Sequence, residues 1–142
     1  DMSTIKVDTY LTRGGASEIA IDKLKGVTAA GSILVTGEGN STTTNLQQGL
    51  AKAWSRTLAD GSGIEDSFNI ASLTDTATGK QFHTFTNAMN NDDYAIHVTN
   101  INDNVEQSWA DGETVNGFRS NSYGSSAFED EKHSITTFGD LA

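Results

Sequence analysis

Three strand-length stretches stand in series between residues 66 and 98, and their succession constrains the fold more than any other feature of the chain. They are Asp66-Ser-Phe-Asn-Ile-Ala-Ser-Leu-Thr-Asp75, Gly79-Lys-Gln-Phe-His-Thr-Phe-Thr-Asn-Ala-Met89 and Asp93-Tyr-Ala-Ile-His-Val98. Aromatic and β-branched residues recur within each stretch, and Gly, Asn and Asp separate them, the pattern of strands joined by turns. The spacing predicts a hairpin between 81–87 and 93–100, centred near Asn90. In that register Phe82 faces Val98, Thr84 faces Ile96 and Thr86 faces Tyr94 on one side, while His83 faces His97 and Phe85 faces Ala95 on the other. Phe82, Ile96 and Val98 are then expected inside, and the wall suits a sandwich or barrel with one side on the core.

The flanking sequence adds further strands. Leu46, Leu50 and Trp54 recur at helical spacing behind Asn45, a good N-cap, which by itself suits a short amphipathic helix over 45–55. A turn at Asp60-Gly-Ser-Gly63 leads to a strand over 66–73 with Phe68 and Ile70 on one face. Strands are also expected over 114–123 and 132–138. Residues 100–112 are long, polar and carry a single large aromatic, Trp109, so they read as an exposed loop.

The amino-terminal third is different. Ile5 and Val7, Ile19 and Ile21, and Ile33 and Val35 each place two β-branched residues two apart, with glycines between the pairs. Strands this short are not stable alone in water, so stacking against copies from neighbouring chains is expected, as in the anchor or shaft of a fibre, the alternative being an ordinary meander packed on the second domain. The expected organisation is an all-β chain with a β-rich anchor or shaft over 1–36, a linker over 37–48, and an antiparallel, jelly-roll-like β-sandwich knob over 49–142. Homo-oligomers are the expected assembly.

Charge narrows the partners. The formal net charge is −10, with Lys and Arg numbering 9 against 19 acids, which disfavours a phosphate backbone and an anionic membrane surface. Cysteine is absent, so thiolate metal sites, disulfides and thiol nucleophiles are excluded. No stretch approaches the roughly 18 apolar residues of a membrane span, and no basic-then-apolar leader opens the chain. Met2-Ser-Thr-Ile-Lys reads as a natural start with Asp1 as a processing remnant, and the chain as a complete small protein.

Chemistry-bearing motifs are sparse. His83 and His97, opposed in the expected hairpin, form a two-imidazole metal set, but no Cys or spaced third ligand accompanies them, so no metal is expected. Asp60-Gly-Ser-Gly-Ile-Glu-Asp66 and Asn102-Asp-Asn104 with Glu106 place oxygen donors at loop spacing, yet neither fits a calcium loop. No carboxylate pair stands out for glycoside cleavage and no Gly-x-Ser-x-Gly elbow is present. The chain is expected to have neither enzymatic activity nor a cofactor.

Several separate stretches resemble one family. Asn45-Leu-Gln-Gln-Gly-Leu-Ala-Lys-Ala-Trp54, then Ser67-Phe-Asn-Ile-Ala-Ser-Leu-Thr-Asp75, Phe85-Thr-Asn-Ala-Met89, Tyr94-Ala-Ile96 and Gly117-Phe-Arg119 are similar in content and order to the carboxy-terminal β domain of tail-fibre and virion fibre proteins from marine and cyanobacterial tailed bacteriophages. The opening Ser-Thr-Ile-Lys-Val-Asp-Thr of residues 3–9 resembles the start of such proteins. The resemblance implies that the stretch over 45–54 leads into a strand, so a short helical turn through Leu46 followed by a strand over about 51–58 is expected. The pattern departs around 55–64 and after Asn100. The resemblance implies a homotrimeric virion component, on a tail fibre or the capsid surface, made in the host cytoplasm and touching other virion proteins and a host cell-surface glycan or protein. On that reading the receptor contacts are expected from Asn102, Asp103, Asn104, Trp109 and Asp111. A capsid decoration or purely structural knob is the alternative.

Overall fold

The computed structural model describes residues 23–26, 29, 33–101 and 106–142. The chain divides into two units, Asp1–Ile33 and Leu34–Ala142. Ile5, Val7, Ile19 and Ile21 of the expected anchor lie outside the described residues, as do Asn102, Asp103 and Asn104 of the expected receptor loop. Ile33 precedes the first described strand, and Val35 lies within it, exposed.

The second unit opens on a small hairpin, where a connector was expected. β1 (Leu34–Thr36) pairs antiparallel with β2 (Thr43–Asn45), Val35 opposite Thr44. Asn40, with φ 54°, turns the chain between them, a conformation that asparagine tolerates better than most residues. One helical turn follows, α1 (Leu46–Gly49). As expected, Asn45 caps it, its side chain accepting from Gln47 N at 2.9 Å and Gln48 N at 3.2 Å.

Eight strands then build two antiparallel sheets that pack face to face: β3 (Ala53–Thr57), β4 (Ile64–Phe68), β5 (Ile70–Ala77), β6 (Lys80–Phe85), β7 (Ala95–Asn100), β8 (Gln107–Thr114), β9 (Gly117–Tyr123) and β10 (His133–Phe138). The first sheet has the order β4-β3-β10-β7 and the second β5-β6-β9-β8. The fold is therefore all-β and sandwich-like, and the chain changes sheets after β4, β6, β7 and β9.

The first change of sheet corrects the expected strand over 66–73. Asn69 breaks it with φ 58°. Its amide locks the corner by donating to Lys52 O at 3.0 Å and Asn87 O at 3.1 Å and accepting from Asn87 N at 2.7 Å. Phe68 and Ile70 consequently do not share a face. Phe68 is exposed on the outside of the first sheet, whereas Ile70 is buried between the sheets.

The expected hairpin of 81–87 with 93–100 does not form. β6 pairs with β5 and β9, and β7 pairs with β10, so the two strands belong to different sheets. The face of β6 is inverted as well: Gln81, His83 and Phe85 point inward, and Phe82 is half-buried on the outside. Period-two alternation was unable to choose, because Phe82 and Phe85 are an odd number of residues apart and place one large ring on each side. Ile96 and Val98 do pack against the core as expected.

The core consists of Ala53, Ile70, Phe85, Met89, Tyr94, Phe118 and Ile135. Tyr94 meets Phe85 edge to face at 5.5 Å and Phe118 at 6.4 Å. Its hydroxyl lies 3.0 Å from Thr114 O and 2.8 Å from Gly117 O, so the buried phenol is satisfied at the β8–β9 turn. Burial pushes its pKa up to about 12, partly opposed by the bond to Thr114. Gly117 admits this packing: a Cβ there would stand 2.2 Å from His83 O.

Toward the other end of the sandwich the inward side chains become polar. Ser55, Thr57, Gln81, His83, Ser120, Ser122 and His133 are all buried, and most are tied across the gap. Thr57 Oγ1 donates to Gln81 Oε1 at 2.7 Å, and His133 N donates to Thr57 Oγ1 at 3.2 Å. Ser120 Oγ stands between two imidazoles, 2.8 Å from His83 Nε2 and 2.5 Å from His133 Nδ1. The far nitrogen of His83 meets Ser55 Oγ at 3.3 Å, and its ring stacks on Phe118 at 4.9 Å.

Candidate binding face on the second sheet

The expected exposed loop over 100–112 is, from Gln107 onward, strand β8. Trp109 and Asp111 are therefore sheet residues, half-buried, and not loop-tip residues. Nothing in Gln107-Ser-Trp-Ala-Asp-Gly-Glu-Thr114 is β-branched before its last residue, so local propensity carries little strand signal there, and pairing with β9 makes the strand. A bulge with Gly112 at φ 62° ends it.

Register then places the side chains of four strands in rows across the outer face. One row runs Thr74, Phe82, Arg119 and Asp111; the next runs Ala77, Lys80, Asn121 and Trp109. A third pairs Tyr123 with Gln107. Residues 124–132 fold back so that Phe128 bridges to Tyr123. Its ring lies 5.2 Å from that of Tyr123 and 5.9 Å from that of Trp109, and Lys80 Nζ sits 4.1 Å from its centroid. Lys80 and Trp109 are the two cross-strand neighbours of Asn121, so the Phe128 ring closes the face above that amide.

The polar groups of this face are only partly paired. Asp111 Oδ1 lies 2.7 Å from Arg119 Nη2. Burial pushes the Asp111 pKa up, but hydrogen bonds from the Arg119, Asn121 and Trp109 side chains and the Arg119 charge outweigh it, and the carboxyl is held below its ordinary value. Asn121 is fully buried, with Nδ2 3.5 Å from Trp109 O, while its Oδ1 has no partner among the described residues. Arg119 Nε is likewise buried and without a partner there. An unpaired acceptor and an unpaired donor thus lie beside a carboxylate and an indole. Such groups cost free energy until something satisfies them.

The other expected constellation is dispersed. His83 is sealed between the sheets, whereas His97 is exposed on the outside of the first sheet, edge-on to Phe138 at 6.2 Å. The two imidazoles therefore do not share a site. His83 has gained His133 as its neighbour through Ser120 instead. Desolvation lowers both pKa values, to about 3 for His83, with the charge of His133 adding to it, and to about 4 for His133. Both rings are fully buried, so this cluster acts on packing and has no open side for a substrate. Among the described residues no group of three or more His, Asp or Glu is placed to hold a metal ion.

Sequence reasoning reached Trp109 and Asp111 by way of the wrong element, and it missed Lys80, Arg119, Asn121 and Phe128. A signal was present in Gly117-Phe-Arg-Ser-Asn-Ser-Tyr123. There Phe118, Ser120 and Ser122 alternate with longer Arg119, Asn121 and Tyr123, which marks one inward and one outward face. Comparison with family models, with curated proteins and with solved structures finds no match for this chain.

Proposed function

We propose that this chain is a structural protein of a bacteriophage virion, a trimeric fibre or knob component that attaches the particle to the host surface. Attachment in this reading works by binding and not by catalysis. The observation that carries it is the outer face of the second sheet, where Trp109 lies among polar groups that are not all paired. The resemblance of residues 45–119 to phage fibre domains supports the same reading, as does the antiparallel, sandwich-like fold. Trimerisation multiplies weak contacts into useful avidity.

A second reading, a capsid decoration or structural knob without a receptor, has its own support. The outside of the first sheet exposes an aromatic row, Phe68 at 52% and Trp54 at 38%, continued across Thr136 to His97, a surface suited to cover by other virion proteins. One experiment separates the two. If the chain attaches the particle, the purified protein, at three times 15.1 kDa by light scattering, binds host cells and blocks phage adsorption, and Trp109→Ala abolishes the block. If it decorates the capsid, cells are not bound and particles lacking the protein adsorb normally.

A further inference from the structure

We propose that the outer face of the second sheet is a saccharide site, in which a neutral pyranose stacks on Trp109 and hydrogen-bonds to Asp111, Arg119 and Asn121. This rests on the attachment reading above and names the ligand for it. The ligand class follows from what the face offers and what it lacks. Trp109 presents ring surface, which suits the C–H face of a sugar. Asn121 Oδ1 is a buried acceptor without a donor, and Arg119 Nε a buried donor without an acceptor, among the described residues. A hydroxyl group donates and accepts at once, so adjacent sugar hydroxyls satisfy both, whereas an apolar ligand leaves both unpaired.

Charge disfavours the main competitors. Arg119 is already neutralised by Asp111. An anionic ligand that displaces Phe128 would gain Lys80 but also face the Asp111 carboxylate, on a chain of net charge −10. A cationic ligand would have to displace Arg119 from Asp111.

Phe128 is the group the sugar replaces. Its ring contacts Lys80 and Trp109, the two cross-strand neighbours of Asn121, and it is carried by residues 124–132 outside the paired strands. A pyranose in that position keeps an apolar face against Trp109 and adds hydroxyls where the phenyl ring has none. Phe128 therefore competes with the ligand, and its removal strengthens binding.

The test uses the whole chain with Trp54→Phe, which leaves Trp109 as the reporting indole. It is titrated with neutral tetrasaccharides of glucose, galactose, mannose and N-acetylglucosamine, and with a sialylated and a sulfated tetrasaccharide. The expected result is a saturating change in Trp109 emission with at least one neutral sugar, weakened about tenfold by Asn121→Ala or Asp111→Ala and strengthened by Phe128→Ala. Circular dichroism confirms that each variant is folded, and Trp109→Phe, which keeps a ring and is followed by calorimetry, retains part of the affinity. Response to none of the neutral sugars, preference for an anionic one, or loss of binding in Phe128→Ala overturns the proposal. Host-cell binding that is lost in Trp109→Ala but not inhibited by neutral sugars sinks the saccharide and leaves attachment standing. Sugar binding without cell binding sinks attachment and leaves the saccharide site.

Discussion

The two ends of the sandwich interior are held together by different physics. At one end Phe85, Tyr94, Phe118, Met89 and Ile70 fill the gap by ring contact and apolar burial. At the other, Thr57, Gln81, His83, Ser120 and His133 fill it with hydrogen bonds. Apolar packing is tolerant of direction but sensitive to volume, while a buried polar network is sensitive to the state of every proton in it. The same sheets thus contain a part that should respond to cavities and a part that should respond to pH.

Acid gives the largest expected separation of the two. In the unfolded chain a histidine takes up its proton near pH 6.5, but the fold holds His83 down to about 3 and His133 to about 4. The unfolded state therefore binds more protons throughout that interval. Stability is full above pH 7, falls as pH drops from about 6.5 towards 4, and continues to fall to about 3, each ring contributing about 1.4 kcal/mol for every pH unit between its unfolded and folded titration points. The expected loss is several kcal/mol, read as a falling urea midpoint between pH 7 and pH 4. In His133→Asn the slope over that range should shrink. An unchanged slope would break the assignment of the polar end to the two histidines.

Phe118→Ala is the matching probe of the apolar end. It removes the ring shared by His83, Phe85 and Tyr94, and the expected loss is about 3–5 kcal/mol by urea denaturation at pH 7. Ser120→Ala changes volume very little, yet it strips the hydroxyl that serves both imidazoles, and about 1–3 kcal/mol should go with it. A loss no larger than that of an exposed serine would mean that the imidazoles bond to each other or to water instead. Asp111→Asn should matter least to stability, within about 1 kcal/mol at pH 7, since its pair with Arg119 is partly exposed. Its effect belongs to binding.

Much of the fold was legible because strands and turns announce themselves locally. β6, β7, β9 and β10 fall within or across the stretches that alternation and turn residues marked, and Asn45 stands at the cap where its chemistry belongs. The failures share a cause. Asn69 looked like one residue in a continuous strand, and its left-handed corner exists because Lys52 and Asn87, distant in sequence, receive its amide. β8 looked like a loop because β9 supplies the pairing that its own side chains do not advertise.

The candidate face was half legible. Trp109 and Asp111 drew attention as an aromatic and an acid in a polar stretch, but their partners Arg119 and Asn121 lie on a neighbouring strand whose pairing with theirs no local pattern marks. Lys80 and Phe128 join through register and through the fold-back of 124–132, neither of which is a local property.

The amino-acid sequence by itself determined that this chain is antiparallel β, where most of its strands and turns lie, and which functions its charge and missing cysteines disfavour. Those are consequences of side-chain shape, backbone preference and composition, which act within a few residues. Tertiary structure alone decided that His83 faces inward beside His133, that Phe82 faces outward, that β6 and β7 part company, and that Trp109 meets Asn121. Each depends on which distant strand supplies a partner, and a period-two pattern with large rings on both sides is equally compatible with either face until that partner is in place.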